Sequence, residues 1–212
     1  MIIRAEAYPK TKIVYTDISN KLTIKMRIMY KFFSLILAII IIVPLQVFAM
    51  PDVKEALSNV EFTGINDENT KINAYEGKII LLFFGYTHCP DICPTTLLDI
   101  SRSLKELGKD ADKVQAVFVS VDYKRDTPKY LKEYVDYFDK RIIGLTSNKK
   151  NIDKLNKYFK TTYALLDSNK KNYLVEHSSN LYVIDENLIV KRIVANGLPN
   201  SEITKAVRKL FK

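Results

Sequence analysis

Six consecutive apolar residues, Ile79-Ile80-Leu81-Leu82-Phe83-Phe84, stand between Gly77-Lys78 and Gly85. A run this short, branched and aromatic predicts a strand buried on both faces. Such a strand needs cover on two sides, which points to an α/β fold. The pattern downstream agrees. Leu97, Ile100, Leu104 and Leu107 recur at helical spacing until Gly108, and Val114 to Val121 is a second apolar run. Strand, helix and strand in this order form a βαβ unit with a parallel pair.

The rest of the pattern extends that unit. Thr127 and Pro128 suit the cap and first position of a helix whose inward face is Leu131, Val135 and Phe138. Ile142 to Leu145 is short enough for a strand, and Ile152, Leu155 and Phe159 predict another helix. Leu181 to Ile184 and Leu188 to Val194 flank Asp185-Glu186-Asn187 as a hairpin would. Ile203, Val207 and Leu210 predict a terminal helix, capped by Asn200 or Ser201. The order matches a thioredoxin-like α/β fold over residues 50–212.

The front of the chain is different. Residues 32–49, FFSLILAIIIIVPLQVFA, carry no charge and are apolar on every face. They approach the roughly 20 residues that a membrane-spanning helix needs. Residues 1–31 hold seven basic against two acidic residues, while residues 50–212 hold 26 against 22. More than half of the net charge of +9 therefore precedes the apolar run. Basic residues on one side of such a run keep that side in the cytoplasm and place the remainder outside. Two readings stay open: an uncleaved anchor, or a signal segment cut after Val47-Phe48-Ala49. Under either reading the charge is a topology signal, and nucleic acid is not an expected partner.

Only two Cys and two His are available for chemistry. Cys89 and Cys93 lie in GYTHCPDICPTT, at the end of the buried strand and the entrance to the next helix. Ligands and reactive groups cluster at that end of a parallel sheet. Spacing of i and i+4 puts both sulfurs on one helical face, and a helix N-terminus favours the thiolate. A disulfide would close a very small loop, with little entropic benefit. A reactive or ligating pair is the stronger reading. His88, next to Cys89, is expected in the turn rather than as a ligand. His177, in Val175-Glu176-His177-Ser178-Ser179, precedes the predicted strand Leu181 to Ile184 and can complete a Cys₂His set. Two thiolates and an imidazole suit copper, with open-site zinc as the alternative. No Ser-His-Asp order, phosphate-cradling glycine loop or catalytic carboxylate pair is visible. Asp122, Arg125 and Asp126 read as a solvated, helix-capping loop, or else as an edge for partner docking.

At these residues the chain resembles the SCO (SenC/PrrC) family of copper-binding proteins. The resemblance is carried by KIILLFFGYTHCPDICPTT (Lys78 to Thr96), VSVDYKRDTPKYLKEYVDYF (Val119 to Phe138) and EHSSNLYVID (Glu176 to Asp185). It implies a thioredoxin-like domain on a single membrane anchor, facing the periplasm or the mitochondrial intermembrane space. It implies that Cys89, Cys93 and His177 ligate copper, Cu(I) or Cu(II). The implied function is maturation of the dinuclear copper centre of cytochrome c oxidase, by copper delivery or thiol reduction. The copper-receiving oxidase subunit would be the partner, with an upstream copper donor or thiol reductant. If reduction is the role, Cys89 and Cys93 are the redox-active pair of a thiol–disulfide oxidoreductase. Tyr123, Glu176 and Asn187 stand where the family often has Pro, Asp and Gly; none is a ligand position.

Overall fold

The computed structural model describes residues 25–31, 53–64 and 68–211. Contacts divide the chain into Met1–Phe48 and Ala49–Lys212. In the first unit, residues 25–31 are helical. The apolar run 32–49, on which the anchor-or-signal expectation falls, lies outside the described residues. Among the described residues no helix is long and apolar enough to cross a membrane.

In the second unit the elements run α1 (Lys54–Asn59), β1 (Phe62–Thr63), β2 (Asn69–Thr70), β3 (Ile79–Gly85), α2 (Ile92–Leu107) and β4 (Val114–Ser120). There follow α3 (Pro128–Phe138), β5 (Ile142–Leu145), α4 (Lys149–Phe159), β6 (Tyr163–Leu165), β7 (Val175–His177), β8 (Leu181–Ile184), β9 (Val190–Val194) and α5 (Asn200–Arg208). The main sheet has the order β5-β4-β3-β8-β9. Strands β5, β4 and β3 are parallel, β8 runs antiparallel to β3, and β9, antiparallel to β8, returns to the direction of β3. This is the thioredoxin-like arrangement expected from the βαβ unit and terminal hairpin.

The strand Ile79–Gly85 is buried along its whole length. Its side chains alternate between two cores, as a pleated strand requires. Ile79, Leu81 and Phe83 meet Leu97, Ile100 and Leu104 of α2, with Leu131, Val135, Ile203 and Val207. Ile80, Leu82 and Phe84 meet Leu57, Ile152, Leu155, Phe159 and Tyr182 on the other face. Each large side chain so buried contributes roughly 1.5–3 kcal/mol relative to exposure. Cover on both faces explains why β3 has no polar position.

The caps follow local chemistry. The Thr127 side chain accepts from the Tyr130 N–H, with Pro128 next, and Asn148 accepts from Asn151 to start α4. The α5 expectation needs correction, because Pro199 occupies the cap position and makes no side-chain bond. Asn200 Nδ2 instead donates to Glu106 Oε1 at 2.6 Å, tying α5 to α2. The second hairpin strand begins at Val190 rather than Leu188. Leu188 has a φ of 64° and belongs to the turn, where Asp185 accepts from the Asn187 and Ile189 N–H groups.

Strands β6 and β7 form a ribbon of their own, outside the main sheet. Tyr163 pairs with His177, Ala164 with Glu176 and Leu165 with Val175. Tyr182 Oη donates to the Phe159 carbonyl at 3.1 Å, holding the end of α4 against β8 just before the ribbon starts.

Candidate metal centre

The chain leaves β3 at Gly85, turns through residues 86–91 and enters α2 at Ile92. The Cys89 N–H donates to the Tyr86 carbonyl at 3.3 Å and closes the turn. Asp91 occupies the cap position of α2 but makes no side-chain cap bond. The acceptor is a sulfur instead, since the Cys93 N–H points at Cys89 Sγ at 3.5 Å. Cys93 is fully buried in the first turn of α2, and Cys89 is half-buried. Both are free thiols.

Gly85 makes this corner possible. A Cβ there would lie 2.6 Å from Cys93 Sγ and 2.6 Å from Phe118 Cε2. No side chain fits without moving the sulfur or the ring. The glycine that ends the strand is therefore a packing requirement of the Cys93 site as well as a punctuation mark.

His177 arrives from the ribbon. Its Nδ1 lies 3.0 Å from the Ser178 carbonyl. A carbonyl only accepts, so Nδ1 carries the proton and Nε2 keeps its lone pair. That lone pair lies 3.5 Å from Cys93 Sγ. Tyr86 meets the imidazole edge-on at 5.7 Å and Phe83 at 6.3 Å, which limits rotation of the ring. The donor atoms of Cys89, Cys93 and His177 all lie within 4.8 Å of one another.

The two sulfurs are electrostatically unlike. The hydrogen bond from Cys93 drives the Cys89 thiol well below its ordinary value, against the opposing effect of burial, and the N–H groups of Asp91 and Cys93 add to it. Cys93 is driven upward by the same bond and then by burial. The pair holds one proton, on Cys93, and Cys89 is a thiolate. One soft anion, a second sulfur that can ionise when its proton is displaced, and a fixed imidazole lone pair make a donor set of the copper and zinc type.

His88 lies in the turn, as expected, and is exposed. Its ring stacks on Tyr130 with an interplanar angle of 13°. It does not belong to the three-atom cluster. The expectation for Asp122, Arg125 and Asp126 needs correction, because neither carboxylate is a solvated loop group or a docking edge. Asp122 is 0% and Asp126 4% exposed. Asp126 accepts from Thr87 N, Thr87 Oγ1 and Ser120 Oγ at 3.0, 2.7 and 2.6 Å. Asp122 accepts from Tyr173 Oη at 2.5 Å and Arg125 Nε at 2.6 Å. These bonds fasten the cysteine turn to the loop after β4 and to the segment leading into β7. Charge runs in sequence carry no mark of burial, so only the position of Tyr173 five residues before Ser178 could have hinted at the link.

A family model described as SCO1/SenC matches residues 51–212. The SCO2-like protein of Rickettsia felis is 40% identical over 126 residues, 57% of this chain and 62% of that protein. Protein SCO2, mitochondrial, of Saccharomyces cerevisiae is 41% identical over 130 residues, 59% of this chain and 42% of that protein. The matched stretch thus spans less than two thirds of either relative. The structure of Bradyrhizobium japonicum ScoI with copper bound superposes with a TM-score of 0.66 at 33% identity, over 72% of this chain and 97% of that one. Yeast Sco1 with copper bound gives a TM-score of 0.66 at 25% identity, over 71% of this chain and 84% of that one. With the family model matched across nearly the whole second unit, the chain belongs to the SCO1/SenC family.

Proposed function

We propose that the chain is a copper metallochaperone that holds copper on Cys89, Cys93 and His177. In this reading it assists maturation of the dinuclear copper centre of cytochrome c oxidase. The observation that carries the reading is the convergence of the three donor atoms within 4.8 Å, with both thiols free. Copper-bound relatives support it. Residues 32–49 would anchor the chain in the cytoplasmic membrane with the domain in the periplasm, or in the intermembrane space if mitochondrial.

The residues divide the work. Cys89 presents a ready thiolate at the half-exposed rim. Cys93 gives up its proton as the cargo, Cu(I) or Cu(II), is taken. His177 offers Nε2 because Ser178 fixes its tautomer. Three protein donors leave an edge where the copper-receiving oxidase subunit, or an upstream donor, can compete for the ion. The test is to incubate the copper-loaded full chain with the copper-free receiving subunit and follow the metal in each protein. Copper should leave the chain one for one. Retention of copper with oxidation of the chain's thiols would contradict the chaperone reading.

One observation favours a second reading, a thiol–disulfide oxidoreductase: a half-exposed Cys89 thiolate stands over a buried Cys93 thiol. Cys89 would attack a client disulfide and release one client thiolate. Cys93, after losing its proton, would attack Cys89 Sγ and release the second. Two electrons pass to the client, and a Cys89–Cys93 disulfide remains. Cys93→Ser should then trap a mixed disulfide on Cys89; no trapped species would count against it.

A further inference from the structure

A groove opens beside the cysteine turn, bordered by His88 and Tyr130 on one side and by Lys170 and Lys171 on the other. Lys124 and Arg125 complete its basic lining, and no carboxylate lines it. Four other surface depressions each include an acidic side chain: Glu186, Glu106, Asp99 or Glu202. Lys124, Lys170 and Lys171 are exposed. Three carboxylates nearby offset part of the charge, and buried Asp126 Oδ1 lies 4.0 Å from His88 Nδ1. Asp167 pairs with Lys170 at 2.8 Å, and buried Asp122 is engaged by Arg125 and Tyr173. Lys124 donates to Ser168 at 3.0 Å, and neither it nor Lys171 pairs with a carboxylate among the described residues. The groove therefore keeps an excess of about one positive charge. Arg125 lies 3.5 Å over the Tyr173 ring, and its Nη2 is buried without an acceptor. A carboxylate is the acceptor that a guanidinium matches.

The groove is one layer from the metal centre. His88 adjoins Cys89, Arg125 lies 6.0 Å from the Tyr86 ring, and Tyr86 packs edge-on against His177. Lys170 and Lys171 sit in the turn of the ribbon whose second strand ends at His177. We propose that this groove docks an acidic polypeptide segment of the protein that exchanges copper with the chain. The words "exchanges copper" rest on the copper reading above; the preference for an acidic segment rests on the groove alone. A concave surface walled by a stacked His88–Tyr130 pair fits a narrow polypeptide better than a flat lipid surface. Complementary charge at this place raises the encounter rate and orients the partner toward Cys89.

The test uses the full chain in neutral detergent, with fluorescein-labelled hexaglutamate as probe and fluorescence anisotropy as readout. Wild type should bind hexaglutamate, and hexalysine should not compete. Lys170→Glu with Lys171→Glu should weaken binding at least tenfold. Lys205→Glu with Lys209→Glu, on a different basic face, should weaken it less than twofold. Copper affinity, measured by chelator competition on the same samples, should be unchanged in both double variants. Equal weakening in the two double variants would overturn the proposal, since only overall charge would then matter. So would hexaglutamate being displaced from the groove by phosphatidylglycerol vesicles that bind more tightly. Loss of copper binding in wild type with peptide binding intact would remove the copper reading and leave the groove standing.

Discussion

The two halves of the metal centre are built to different standards. The cysteine half stands on β3, which pairs with β4 on one side and β8 on the other and is buried throughout. Cys93 is packed so closely that Gly85 has no room for a methyl group. The histidine half stands on a two-stranded ribbon of three residues per strand, whose middle pair, Ala164 and Glu176, is exposed. One half is preorganised by the core. The other is held by a short pairing ladder, the Thr162–Ser178, Tyr163–Asp153 and Tyr173–Asp122 bonds, two edge-on aromatic contacts on the imidazole and the burial of Tyr173 and Val175. Local opening free energy falls where buried contacts are few. A site with two fixed sulfurs and one detachable imidazole can grip an ion and still let it pass to a partner.

The largest effect should come from breaking the fixed half chemically. Cys93→Ser removes a soft donor without changing shape, and copper affinity should fall on the order of a thousandfold, exceeding the 10- to 100-fold typical of an outer partner. Chelator competition reads this directly. Breaking the same half sterically comes next. Gly85→Ala drives a Cβ into Cys93 Sγ and Phe118, so stability should fall by about 3 kcal/mol in urea unfolding. His177→Ala tests the detachable half. Affinity should fall by at least the roughly hundredfold that bounds the loss of an outer partner, while stability stays within about 0.5 kcal/mol, as expected for a half-exposed side chain on a ribbon. A large stability loss there would erase the contrast between the halves.

Much of this contrast was legible in the residues. The continuous apolar run at Ile79–Phe84 announced a two-sided strand, and the turn chemistry after it located both cysteines. His177 was less visible, because a three-residue strand with one buried position leaves almost no periodic signal. The linking network was invisible for a plainer reason. Asp122 and Asp126 look like solvent-facing acids until Tyr173, Thr87 and Ser120, distant in sequence, supply their donors. The cap of α5 is not legible in the sequence because Asn200 is used for a tertiary bond to Glu106.

Two smaller effects sharpen the comparison. Tyr173→Phe deletes the donor to buried Asp122 and should cost about 1–2 kcal/mol. Its effect should fall more on protease sensitivity near residues 163–177 than on the main sheet. The thiols should also differ in their response to pH. An ordinary thiol, with a pKa near 8.5, loses reactive thiolate about tenfold per unit below that value. Cys89 is shifted down, mainly by its bond from Cys93, so its iodoacetamide labelling should stay nearly flat as pH falls from about 8 to about 6. Cys93 is shifted up and buried, so it should remain unlabelled. Parallel pH profiles for the two would contradict the assignment of the single proton to Cys93.

The central claim is that Cys89, Cys93 and His177 hold one copper ion together. X-ray absorption at the copper edge of the copper-loaded full chain tests it most directly. Two sulfur scatterers and one imidazole nitrogen are predicted, with the imidazole signal lost in His177→Ala. The chain has only two histidines. An imidazole signal that survives His177→Ala would place His88 on the ion instead and contradict the account.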